Sequence, residues 1–402
     1  MKANKKIKNI LLTLIIIVTA TSCTEPYALQ STNYQNYLVV EATLTNGLKK
    51  QEVKLTRTYR LEENEPTIEQ DANVKVLGDD GSVYLFSQEE ETYVSNDEFE
   101  PLPNVAYRLE IETSNGKRYI STEQTLPSIS NLESVVAVRK TNDLGTEGVE
   151  IQTNSFDPTN TSNFYRYTFE ETYKVIVPYW SANNIRILDD YTIEFYLRDG
   201  ETRTCYSNNN SKNIILENTL NYEEDRISNF PVQFIPQSDY KIANRYSIIV
   251  HQYIHNAASF EFYKILKSLS DEGSNLSQIQ PGLIPSNITS IQQPNEIVVG
   301  LFDVASISSQ RIFFNYEELF PDSYPPGFQY ECEVRTFNPR DFNPLNSNDG
   351  FFALKSYVDS NRLLFYRDAA GLYEMVIPYC GDCTSFSSNV IPAFWEWKNI
   401  KF

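Results

Sequence analysis

From Tyr37 to Pro127 the chain never sustains an apolar pattern for more than about eight residues before a turn signal stops it, a rhythm that admits short strands and little else. Tyr37 to Leu44 (YLVVEATL) reads as the first strand, and Val53-Lys54-Leu55-Thr56 alternates apolar with polar. An acidic loop from Leu61 to Asp71 (LEENEPTIEQD) separates it from Val74 to Leu77. Gly78-Asp79-Asp80-Gly81 then turns the chain into Val83 to Phe86, the Asp-Gly hairpin signal between apolar runs. Tyr107, Leu109 and Ile111 point one way while Arg108, Glu110 and Glu112 point the other, and Asn115-Gly116 turns that strand into Tyr119-Ile120. Roughly seven short strands in about ninety residues have the size of an immunoglobulin-like β-sandwich.

The remainder predicts longer strands: Phe164 to Val177, Tyr191 to Leu197, Tyr246 to Ile254, Glu296 to Val304, Phe351 to Tyr357 and Arg362 to Tyr366. The 27 tyrosines and 23 phenylalanines suit pleated, half-buried surfaces better than helices. The best helical pattern is Ala257 to Ser270, with Asn256 as N-cap and Gly273 just past its end. Its Phe260, Tyr263, Leu266 and Leu269 recur at helical spacing, which core packing explains. The expected fold is therefore mainly β: an immunoglobulin-like sandwich over residues 37–127, then a larger β-rich domain over 128–402 with one or two short helices.

The first 22 residues are of another kind. Lys2, Lys5, Lys6 and Lys8 precede an apolar run from Ile10 to Val18, and small residues lead into Cys23. That is the layout of an export signal, too short for the roughly 20 apolar residues that span a bilayer. A cysteine placed where cleavage would expose it reads as a lipoprotein signal, with Cys23 acylated as the new N-terminus and residues 23–36 a polar tether. Ala20 departs from the Leu or Val usual in such signals. Loss of the four leader lysines would take the formal net charge from −19 to −23. Such acidity repels nucleic acid and anionic headgroups. Its plainest effect is solubility.

Four cysteines remain: Cys205, Cys332, Cys380 and Cys383. In an exported chain they suggest disulfides, with three connectivities open. Cys380-Gly-Asp-Cys383 would also serve a zinc site if Cys205 and Cys332 converged on it, or a redox pair if it opened a helix; its flanks read as a turn. The two histidines, His251 and His255, fall on the strand Tyr246 to Ile254, where four residues would separate the imidazoles by about 13 Å, too far for one metal. No Gly-x-Ser-x-Gly elbow accompanies them for a Ser–His–Asp arrangement, and no phosphate-binding glycine loop is present. Asn346 to Gly350 resembles a calcium loop, but the register puts Leu345 at its first ligand position. The pairs Glu170-Glu171, Glu223-Glu224 and Glu317-Glu318 read as solvated edges. Two polar loops stand out, Asn208 to Lys212 and the proline-stiffened Pro321 to Gln329; on the second, Tyr324 and Phe328 are candidate partner contacts.

Pro285 to Asn315 (PSNITSIQQPNEIVVGLFDVASISSQRIFFN) resembles a block of the domain-of-unknown-function 4249 family of Bacteroidota lipoproteins: an Asn-Ile after a proline, a V-x-G-x-F strand, then an R-x-x-F strand. The Val39-Val40-Glu41-Ala42 strand, the helix with Phe260-Glu261-Phe262-Tyr263-Lys264, and the finish Cys380-Gly-Asp-Cys383-Thr384 … Pro392-Ala393-Phe394-Trp395 are similar in the expected order. Ala42 stands where the family has Gly, and Leu301 where an aromatic is common. The resemblance implies an outer-membrane lipoprotein associated with a TonB-dependent transporter, as a non-enzymatic accessory or ligand-binding subunit. It implies Cys23 as the lipid site, Cys380 and Cys383 in structural bonds, and neither catalytic residues nor cofactor. A structural envelope lipoprotein and a surface hydrolase are the alternatives. The ligand and the face of the membrane are left open.

Overall fold

A computed structural model describes residues 35–60, 63, 65–272, 286–345 and 348–396. The leader, Cys23, nearly all of the tether, Gly273, Asn346, Ser347 and Trp397 lie outside the described residues. The fold is mainly β, with large sheets and few short helices.

The chain opens with β1 (Leu38–Thr45), β2 (Glu52–Arg57), β3 (Asn73–Gly78), β4 (Val83–Glu89), β5 (Thr92–Ser95), β6 (Ala106–Glu112), β7 (Arg118–Ser121) and β8 (Gln124–Thr125). Period-two alternation decides their faces: Leu38, Val40, Ala42 and Leu44 of β1, and Tyr107, Leu109 and Ile111 of β6, point into one core. Then come β9 (Leu132–Thr141), β10 (Glu147–Phe156), β11 (Phe164–Ile176), β12 (Asn183–Ile187), β13 (Ile193–Leu197), β14 (Thr204–Asn210), β15 (Ile215–Asn218), β16 (Arg226–Pro236) and β17 (Tyr246–Ile254). Helix α1 (Ala257–Glu272) follows, then β18 (Ile288–Ser290), β19 (Val298–Phe314), β20 (Arg335–Phe337), helix α2 (Phe351–Asp359), β21 (Leu364–Ala369) and β22 (Leu372–Val376).

Two strands expected apart, over Glu296 to Val304 and at the R-x-x-F motif of Arg311 to Phe314, are one 17-residue strand. The first half of β19, Val298 to Ala305, pairs parallel with β1; the second half, Ser306 to Phe314, pairs antiparallel with β17. The principal sheet accordingly runs β14-β11-β17-β19-β1-β2-β5-β4-β3-β6-β7-β18. Its N-terminal half curls around one core that contains Ile288, Val298, Phe302 and Val304 as well as residues of β1 to β7. Where the curl brings β18 back towards β19, the Asn287 side-chain amide donates to the Phe302 carbonyl (2.7 Å) and its oxygen accepts from the Phe302 amide (3.0 Å). One side chain stands in for a rung of ladder between the two edges. The boundary near Pro127 is thus one of sequence rather than packing, since residues 287–305 return to complete the first unit.

The second half stacks β16-β10-β9 against β11 and β17 over a separate core that includes Ile151, Tyr167, Ile248 and Val250. A third cluster joins the β12–β13 hairpin, α2 and the β20-β22-β21 sheet. Here the structure corrects an expectation, because Phe351 to Tyr357 is helical. A strand would bury every second residue, whereas Phe351, Leu354 and Val358 turn inward at three- and four-residue spacing behind Gly350 at the N-cap.

The four cysteines pair as Cys205–Cys383 and Cys332–Cys380, closing spans of 178 and 48 residues. Nearby, Trp395 packs on Phe313 and Tyr206, while the guanidiniums of Arg245 and Arg311 lie over Phe313 (4.7 Å) and Phe394 (3.7 Å). The C-terminal motif is therefore fastened to β14, to β19 and to Arg245 just before β17 by a disulfide and a run of cation–π and ring contacts.

Two stability predictions follow from this packing. Gly300 holds φ at +103°, and a Cβ there would overlap the Val40 carbonyl oxygen of the paired strand. Gly300→Ala should therefore cost more than about 3 kcal/mol in chemical denaturation, and a cost below about 1 kcal/mol would contradict the register. Loss of the longer-range disulfide (Cys383→Ser) should lower stability by about 1 kcal/mol more than loss of the shorter one (Cys332→Ser), as loop-closure entropy scales. Equal losses would contradict that entropic account.

Candidate functional site

The parallel register of β1 and β19 sets Val39 beside Val299, Glu41 beside Leu301 and Thr43 beside Asp303. All six belong to the face turned away from the N-terminal core, because their neighbours Val40, Ala42, Val298 and Phe302 fill that core. Helix α1 lies over this face and covers it only in part. Between helix and sheet is a groove of about 500 Å³. Val39, Thr43, Val299 and Leu301 form its floor; Phe262, Tyr263 and Leu266 form the helical wall. Glu41, Glu52 and Lys54 stand at the β1–β2 edge, Glu41 directly across the ladder from Lys54. Volume and apolar lining place it within the range of small-molecule sites. Three segments from distant parts of the sequence meet here: Val39 to Ala42, Phe260 to Lys264 and the V-x-G-x-F strand.

The helix is held over the sheet by a buried polar chain. Asn256 caps α1 by accepting from the Ser259 amide (2.9 Å). The Ser259 hydroxyl donates to Asp303 Oδ1 (2.6 Å), and His255 Nδ1 meets Asp303 Oδ2 (2.6 Å). Arg166 Nε donates to His255 Nε2 (3.0 Å), its guanidinium lying over Tyr253 (4.2 Å) and Tyr263 (4.4 Å). Since Nε2 accepts, the proton sits on Nδ1 and the imidazole is neutral. Burial pushes the His255 pKa down, against the pull of Asp303 and with that of Arg166. Burial opposes ionisation of Asp303, yet His255, Ser259 and Arg166 outweigh it and hold the carboxyl below its ordinary value. The chain thus links one cation and one anion through a neutral ring.

Ser259, His255 and Asp303 are the residue types of a hydrolase triad, but the wiring is wrong for one. The serine donates to the aspartate instead of the histidine, and the Nε2 that would accept its proton is occupied by Arg166. All three side chains are buried from solvent. The cluster positions α1.

The other sequence candidates are dispersed. His251 faces Ser309 (2.6 Å) and Glu170 (3.7 Å) on the open face of β17, with partners different from those of His255. Glu170 and Glu171 take opposite faces of β11: Glu170 is exposed, while Glu171 is buried and accepts from Lys241 and Tyr246, each at 2.5 Å. Glu224 pairs with Arg226 (3.2 Å) on the surface, and Glu318 accepts from the Asn315 amide (3.1 Å) at the start of a helical turn. Asn208 to Asn210 are the end of β14. Of the two loop aromatics, Tyr324 is 96% exposed, but Phe328 turns inward onto Phe386 and Tyr330 and is not a free contact residue. The cysteines are taken up in disulfides. Among the described residues no group of three or more His, Cys, Asp or Glu is gathered to hold a metal ion, and no helix is long and apolar enough to cross a membrane. Helical periodicity marked Tyr263 and Leu266 as core; the structure makes them a groove wall, a distinction that spacing alone cannot draw.

The buried imidazole carries a pH signature. Its pKa is lower in the folded chain than in the unfolded one, so unfolding takes up a proton once the pH nears the ordinary histidine value of about 6.5. Stability is complete above that value and declines below it. His251 acts in the same direction, because burial lowers it too, against the pull of Glu170. The urea midpoint should fall between pH 7.5 and pH 5.5, and His255→Gln should remove more of that slope than His251→Gln. A midpoint flat across this range would contradict the neutral, Arg166-bonded histidine.

A search of the curated proteins returns no match. The family model described as "Domain of unknown function (DUF4249)" matches residues 24–311, a span that begins after Cys23 and contains the whole groove, its helix and both halves of the β1–β19 pair apart from the last three residues of β19. With more than two thirds of its length matched, the chain belongs to the domain-of-unknown-function 4249 family.

Proposed function

We propose that this chain is a lipid-anchored, non-enzymatic binding protein of the outer membrane that serves a TonB-dependent transporter, seating a small ligand in the groove between α1 and the β1–β19 pair. The groove carries the reading. It is preformed, apolar on floor and wall, charged at one edge, and built from the segments that also carry the family resemblance. The buried Asp303 chain fixes the helical wall, so the opening is held without a ligand to order it. Anchoring rests on the leader and Cys23. The lipid would hold the body at the membrane, and the tether would set its reach at no more than about 3.5 Å per residue. The transporter is the partner that the family resemblance implies, and Tyr324 on its proline-rich loop is a surface residue available to it. Bacteroidota membership and the lipoprotein class belong to the same proposal.

Two measurements test the two parts. Cys23→Ala should move the protein from the membrane to the soluble fraction; retention in the membrane would contradict the lipid anchor. A mild-detergent pull-down of the tagged native protein, with cross-linking, should recover a TonB-dependent channel in stoichiometric amount. A clean monomer under cross-linking would contradict the transporter partnership.

A further inference from the structure

The groove has chemistry enough to say what kind of ligand it would take. Its interior offers carbon: Val39, Val299 and Leu301 below, Phe262 and Leu266 at the side. Tyr263, the hydroxyl-bearing ring of the wall, has its side chain beside Thr43 and Arg166. Polar recognition is confined to the β1–β2 edge. There the antiparallel register places Glu41 opposite Lys54, and Glu52 belongs to the same face two residues before Lys54. Two carboxylate positions and one lysine position therefore share this edge. Glu41 and Glu52 are exposed, and among the described residues neither they nor Lys54 make an ion pair. The local sum is −1, inside a chain whose formal charge is −19, so short-range and long-range fields act in one direction.

We infer that the groove takes an amphiphilic cation: an aliphatic or aromatic body seated against Phe262, Leu266, Val299 and Leu301, with a protonated amine held between Glu41 and Glu52. This rests on the reading of the groove as a ligand site. An anionic headgroup would meet Lys54 only beside two carboxylates and would approach against the field of the whole chain. A neutral apolar ligand would leave the edge carboxylates unused. An amine satisfies both, and it gains when the apolar wall lowers the local dielectric around the contact.

The test uses two fluorescent probes with one body and opposite ends, dansylcadaverine (terminal amine) and dansyl-6-aminohexanoate (terminal carboxylate). They are titrated into the full chain carrying C23A, so that no detergent competes for them. The amine should bind at least about tenfold more tightly than the acid at low ionic strength, with the difference shrinking as salt is added. The double variant Glu41→Gln, Glu52→Gln should abolish the preference while keeping affinity for the shared body. Leu266→Trp, which fills the groove from the helical wall, should block both probes. If the acid binds as well as the amine and Leu266→Trp blocks both, the charge inference is overturned and the groove reading stands. If neither probe binds, or binding ignores Leu266→Trp, the groove reading itself is overturned.

Discussion

The parallel pairing of β1 with the first half of β19 is the contact on which the remaining architecture depends. It joins Leu38 to Val298 and Thr45 to Ala305 across the length of the folded chain. Without it the N-terminal sheet has an unpaired edge and lacks Val298, Phe302 and Val304 from its core. The second half would lose the continuity that carries β17 into the same sheet. At Gly300 a backbone at positive φ lies against Val40 with no room for a side chain. Such pairing is expensive to form because its partners are far apart in sequence, so the N-terminal strands emerge first and stay incomplete until β19 follows. Disulfide closure of the 178-residue span offsets part of that cost, since it constrains the unfolded chain that must be gathered.

The groove follows from this arrangement. Parallel strands in register present Val39, Thr43, Val299 and Leu301 on one face, and a face so apolar needs cover. A 16-residue helix provides it over Asp303 and Leu301, and leaves the β1–β2 side open. What fixes the helix is the ionic chain through Asp303, His255 and Arg166. Apolar packing alone would leave α1 freer to slide. A buried carboxylate with two hydrogen-bond partners, His255 and Ser259, specifies one position, because any shift strands a charge.

Much of residues 37–127 was legible in sequence because strands such as β1, β3 and β6 alternate buried with less buried positions. The alternation of Tyr107, Leu109 and Ile111 against Arg108, Glu110 and Glu112 states its own register, and the Asp-Gly and Asn-Gly turns mark the hairpins. The strand Tyr246 to Ile254 was readable from its β-branched apolar run instead, being buried or half-buried along its whole length. Legibility failed where burial departed from period two. Strands β10 and β16 carry register shifts near Ile151 and Thr153 and contain Gly148, Asn229 and Pro231, which interrupt any simple pattern. Helix α2 begins with two phenylalanines and reads as a strand until the inward set Phe351, Leu354 and Val358 is known. The groove was not legible at all: Val39, Leu266 and Leu301 each look like core, and only the partial cover by α1 separates lining from interior. The Asn287 clasp was half visible, since the Asn-Ile after Pro285 belongs to the recognised block, but its partner Phe302 follows from the curl of the sheet.

Native-state hydrogen exchange with peptide resolution tests the central claim, that one shared strand makes the two halves a single folding unit. Amides of β1, of both halves of β19 and of β17 should exchange at one common rate set by global unfolding, and they should lose protection together in mild denaturant. Independent opening of β1 and the N-terminal sheet, while β17 and Ser306 to Phe314 stay protected, would contradict the account.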